Sequence, residues 1–210
     1  MRDLARVSYT GCPRPRRPAQ GLEATGRTAQ RSAGRADAAS VILAAVDAKP
    51  WLVEVGRALR QVDLDAVLIG NAAAALQGAP VTTVDLDFLF RKTPRNLGKL
   101  KALARALGAT ILRPYYPASG LFRVVRDTDG LQLDLMATIH GIRSFEGVRA
   151  RAAVIEIDGV EIRVASLVDI IKSKKAAGRP RDIAVLEILE RAHEEATGPK
   201  GKTRGGGTGE

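Results

Sequence analysis

Thr83-Val84-Asp85-Leu86-Asp87-Phe88-Leu89-Phe90 places two carboxylates at alternate positions at the head of an apolar run. The run reads as a β-strand over 84–90, rich in Leu and Phe and bounded by basic and turn-forming residues. Strand residues i and i+2 share a face. Thr83, Asp85 and Asp87 therefore point the same way, with the two aspartate Cα atoms about 7 Å apart. Aspartate is depleted in strands, and like charges on one face repel. A hard divalent cation between the carboxylates turns that repulsion into attraction. Paired aspartates of this kind serve metal-assisted phosphoryl and nucleotidyl transfer. The plain alternative is an edge strand whose aspartates face water.

Two further stretches extend the pattern. Upstream, Ala66-Val67-Leu68-Ile69 runs into Gly70, and an alanine-rich helix follows near 72–77. This reads as strand, tight turn, helix. Gly70 lets the backbone approach a ligand, and Asn71 is expected to cap the helix. Helix N-termini offer free N–H groups to phosphate. Downstream, Leu131-Gln132-Leu133-Asp134-Leu135-Met136 sets a third carboxylate on the face opposite three leucines. If this strand lies beside the Asp85–Asp87 strand, three carboxylates converge.

Gly70-Asn71, Asp85-Leu86-Asp87 and Asp134, in that order, resemble the signature of the DNA polymerase β-like nucleotidyltransferase superfamily. Within it, Gly78-Ala79-Pro80-Val81-Thr82-Thr83-Val84-Asp85-Leu86-Asp87 is similar to minimal bacterial nucleotidyltransferases, with the AbiEii-type abortive-infection toxins the nearest named relatives. The similarity reaches the stretch from Ala165 to Asp182, where such proteins carry a Lys, a Gly-Arg and an Asp, here Lys174, Gly178-Arg179 and Asp182. It covers roughly residues 40–195.

The resemblance implies Mg²⁺ or Mn²⁺ held by Asp85, Asp87 and Asp134. It implies a nucleoside triphosphate over Gly70, Asn71 and Thr83, with Lys174, Arg179 and Asp182 around it. It further implies transfer of a nucleoside monophosphate to RNA (a tRNA among the candidates) or to protein, catalysed by Asp85, Asp87, Asp134 and Lys174, and an antitoxin partner. Relatives carry Gly-Gly or Gly-Ser where this chain has Gly70-Asn71; asparagine is bulkier but can donate through its amide.

The chain of 210 residues carries a net charge of +10, unevenly spread. Residues 1–36 hold eight Arg against Asp3 and Glu23, residues 196–210 a further net +2, and the middle only +2. Both ends are poor in apolar residues and read as disordered, leaving one catalytic-type domain over 37–195. The arm suits non-specific phosphate binding. A start codon placed too early would also yield such a stretch. Cys12 is the single cysteine, so there is neither an internal disulfide nor a zinc ligand set. No apolar leader or membrane-length run occurs, and the expected compartment is the cytoplasm.

The remaining elements follow from periodicity and punctuation. Helices are expected over 38–46, 51–62, 93–107, 166–177 and 180–195, and strands over 109–112, 121–126, 131–136, 154–157 and 160–164. Asp127-Thr128-Asp129-Gly130 and Asp158-Gly159 mark hairpins. The sum is an α+β (mixed α/β) domain, a mixed sheet flanked by helices. Lys174 falls on the apolar stripe of Leu167, Ile170 and Ile171, so either it snorkels to water or it meets an anion, Asp134 or a bound triphosphate. His140 and His193 read as structural, and Tyr115-Tyr116 as loop braces. Three functions compete: an active nucleotidyltransferase, a degenerate nucleotide-binding relative, and a nucleic-acid-binding module driven by the basic ends.

Overall fold

The computed structural model describes residues 48–83, 85–112 and 120–198. The basic arm, the helix expected over 38–46, Tyr115-Tyr116 and the tail beyond 198 lie outside the described residues. The elements in order are α1 (Lys49–Gln61), β1 (Ala66–Ile69), α2 (Gly70–Ala75), β2 (Leu86–Phe90), α3 (Pro94–Ala106) and β3 (Thr110–Leu112). There follow β4 (Leu121–Arg126), β5 (Leu131–Met136), α4 (Phe145–Arg151), β6 (Ala153–Ile157), β7 (Val160–Val164), α5 (Leu167–Ala177) and α6 (Pro180–Thr197). This is the expected mixed α+β architecture: one seven-stranded sheet in the order β3-β4-β5-β2-β1-β7-β6, flanked by helices. No helix among the described residues is long and apolar enough to cross a membrane.

The strands at the centre are buried on both faces, which is why they read as nearly continuous apolar runs. All four residues of β1 are buried, and Leu86, Phe88, Leu89 and Phe90 of β2 are buried with them. Phe90 meets Phe122 of β4 edge to face, centroids 5.9 Å apart. Helix α1 packs on β7 and α3; α2 packs on β1, β2 and α5; α5 packs on α6.

Local chemistry sets the helix ends. Thr93 caps α3 by accepting from the Asn96 N–H, and Ser166 caps α5 by accepting from the Asp169 N–H. Gly178 ends α5 in the left-handed conformation, and Pro180 occupies the first turn of α6, where its missing N–H is harmless. Asp158 and Gly159 both take positive φ in the β6–β7 hairpin, as a primed turn requires.

Three readings need correction. Asn71 does not cap α2: the helix begins at Gly70 with Ile69 in the cap position, and the Asn71 side chain instead donates to the Thr82 carbonyl. Strand β2 begins at Leu86, so Thr83 and Asp85 lie outside it and strand alternation does not aim them. Helix α4 went unread; it is short and polar, with Ser144 capping it and only Phe145 and Val148 buried.

Candidate active site

The register of the sheet sets the site. Strand β2 is antiparallel to β1 and parallel to β5. Asp87 therefore stands level with Ile69 on one side and Asp134 on the other. The chain leaves β1 through Gly70 at φ +70°. A Cβ there would collide with Asp87 Oδ2, so only glycine admits both the turn and the carboxylate. Asp85 precedes β2 and is held by Thr83, whose Oγ1 lies 2.8 Å from the Asp85 carbonyl and 3.1 Å from its Oδ1. The hydroxyl shares its one proton between these acceptors.

Asp85, Asp87 and Asp134 come together. One oxygen from each lies within 4.8 Å of the others. Three hard oxygen donors at this spread suit a Mg²⁺- or Mn²⁺-type cation, whose shell takes carboxylates together with substrate phosphates. The field of the trio is visible at Asp87. Burial, then the neighbouring Asp85 and Asp134, push its carboxyl up to about 7, against the opposing pull of Lys174 and Arg181. Chelation by a divalent cation would remove that proton.

The trio forms the floor of a cleft of about 730 Å³. Gly70, Asn71 and Thr83 line it, as do Lys174, Arg179 and Asp182. Lys174 does not meet Asp134: it donates to Asp182 Oδ1 at 3.1 Å, both side chains being largely buried. Asp182, in the first turn of α6, thus fixes the lysine whose charge Asp87 feels. Arg179 and Arg181 are exposed at the cleft and form no ion pair among the described residues. Asn71 Oδ1 is buried and has no hydrogen-bond partner among the described residues.

Arg123, Arg181 and His140 also line the cleft, and none of them was read from the sequence as a site residue. Arg123 grips Asp134 through a two-pronged fork, Nε to Oδ1 at 2.8 Å and Nη2 to Oδ2 at 2.7 Å. Hairpin arithmetic would have found it: with Arg126 and Leu131 paired across the turn, Arg123 falls opposite Asp134. Arg181 sits one residue inside a proline-started helix and gave no signal. His140, read as structural, lines the cleft. His193 lies elsewhere, on α6 beside Glu190 and Glu194.

The family described as nucleotidyl transferase of unknown function (DUF2204) matches residues 48–200. The chain belongs to this family. Among curated proteins no sequence matches. Among solved structures the antibiotic-resistance factor ANT(2'')-Ia is similar, at TM-score 0.51 and 16% identity over 71% of this chain and 89% of that one. A Thermotoga maritima protein described as a nucleotidyltransferase is similar at TM-score 0.50 and 18% identity, over 69% of this chain and 93% of that one. These likenesses establish the fold, and the family establishes a nucleotidyltransferase.

Proposed function

We propose that this family member transfers a nucleoside monophosphate from a nucleoside triphosphate to a hydroxyl of an RNA or protein acceptor, and that Asp85, Asp87 and Asp134 carry the reaction. The observation that supports it is the meeting of three carboxylates, drawn from separate segments, on the floor of one cleft in a nucleotidyl transferase chain. Asp85 and Asp87 would hold Mg²⁺ or Mn²⁺, with Asp134 as a third ligand. Such a cation, when bound, orients the triphosphate and neutralises charge growing on its oxygens.

The remaining steps belong to the chain. The open backbone at Gly70 and Asn71 seats the phosphates. Lys174, braced by Asp182, faces the charge that develops on them. The acceptor oxygen attacks the α-phosphorus as the bond to the β-phosphate breaks, and pyrophosphate leaves. Asp134, where it is not engaged as a ligand, takes the proton of the acceptor hydroxyl. Arg179 and Arg181, without ion-pair partners among the described residues, add positive charge at the mouth. That charge and the eight arginines of residues 1–36 favour a polyanionic acceptor, RNA of the tRNA kind, over protein. The similarity to AbiEii-type proteins supports a toxin role in the cytoplasm with an antitoxin partner.

Transfer of label from α-³²P-NTP to a cell lysate, with and without Mg²⁺, tests the reading and identifies the acceptor class. Asp85→Asn with Asp87→Asn should lower transfer by about 10³-fold or more while the circular dichroism spectrum is kept. Label transfer by that double variant at the wild-type rate would sink the assignment. Nucleotide binding with no transfer under any metal would favour the degenerate relative.

A further inference from the structure

Among the described residues, Arg123 is the one cation in direct contact with the trio. It stands on β4 opposite Asp134 on β5, and its fork engages both oxygens of a side chain only 7% exposed. Its own side chain is 41% exposed and lines the cleft. One guanidinium offsets one carboxylate, that of Asp134. A carboxylate offers about four lone-pair sites, and the fork takes one on each oxygen. A divalent cation on either remaining site would sit beside the guanidinium, cation against cation, in a partly buried pocket where such repulsion is weakly screened.

We propose that Arg123 is a resident counter-ion that competes with the divalent cation for Asp134, so that full metal loading requires the guanidinium to let go. This rests on the reading of Asp85, Asp87 and Asp134 as cation ligands. Arg123 acts through Asp134 and is a positioning residue. Without metal it offsets the charge of buried Asp134; with metal it opposes the third ligand.

Titration of Mn²⁺ into the nucleotide-free protein, followed by calorimetry and by the Mn²⁺ electron paramagnetic resonance signal, separates the outcomes. Arg123→Gln should bind Mn²⁺ about tenfold more tightly than wild type and melt at a lower temperature in EDTA, with the gap closing once Mn²⁺ is added. In an Asp134→Asn background the same substitution should leave Mn²⁺ affinity unchanged, since the competed ligand is gone. Arg123→Lys keeps the charge but loses the fork, and should fall between wild type and Arg123→Gln; it serves if the glutamine variant does not fold. Unchanged or weaker Mn²⁺ binding by Arg123→Gln, or wild-type binding by Arg123→Lys where it alone folds, overturns the proposal while the metal site stands. Absence of Mn²⁺ binding in wild type and all variants overturns both.

Discussion

At the residue scale the site turns on the contact of Gly70 with Asp87. Gly70→Ala puts a methyl into a carboxylate and an L-residue at φ +70°. The backbone alone costs about 1–2 kcal/mol, and Asp87 must shift as well. Urea melts should show a folded protein weaker by at least that amount, and the label assay should show transfer nearly abolished. Asp87 also predicts a pH dependence. Its folded-state carboxyl sits at about 7, above its unfolded value of 3.8. The folded state thus binds more protons between those limits, and the stability contributed at pH 4 is lost as pH rises through 7. Each tenfold gain in proton affinity is worth about 1.36 kcal/mol, so the loss amounts to roughly a few kcal/mol. Thermal melts in EDTA between pH 5 and 8 should decline, and Asp87→Asn should flatten that slope. Mn²⁺ affinity should climb over the same window.

The elements explain why some side chains end where the sequence did not put them. Strand β1 stops at Ile69, level with Asp87, because Gly70 turns the chain into α2. Asp85 then has no strand partner on that side, and Thr83 holds it instead. The stripe of α5 aimed Lys174 inward as its spacing requires, but its anion comes from α6: the elbow at Gly178 brings Asp182 back over the preceding helix. Asp182→Asn keeps the size and removes the charge. Lys174 should loosen, and transfer should fall about tenfold or more with little change in KM for the acceptor, since a small misplacement of a charge-stabilising group acts on the chemical step. Steady-state kinetics on the identified acceptor check this; an unchanged kcat would remove Asp182 from the account.

At the scale of the whole molecule, the family match spans 48–200, and residues 1–36 with their eight arginines fall outside it. A chain lacking residues 1–36 should melt within about 2 °C of the full chain. If the arm recruits RNA, the shortened chain should hold tRNA more weakly with a shallower salt dependence, each lost phosphate contact lowering the slope by about 0.7–0.9. Loss of all nucleic-acid affinity together with intact NTP transfer to a protein would assign the arm to a separate binding role.

Sequence by itself determined the strands to within a residue or two, both hairpins, the helices capped by Thr93 and Ser166, and the three acids. Each of these is local: an Asp in an apolar run, a Gly after one, a Ser three residues before an Asp. Gly70, Asp85, Asp87, Asp134 and Lys174 were legible for that reason, and Arg123 would have been had the hairpin been counted outward. Tertiary structure alone decided the strand order, with β5 beside β2 and β7 beside β1, because parallel neighbours are joined by long connections whose endpoints no local pattern specifies. It also decided that Asn71 reaches Thr82, that Lys174 pairs with Asp182, and that His140 and Arg181 border the cleft. Those partners are distant along the chain or across a turn, and which side chains meet is fixed only when the sheet and its helices close around one core.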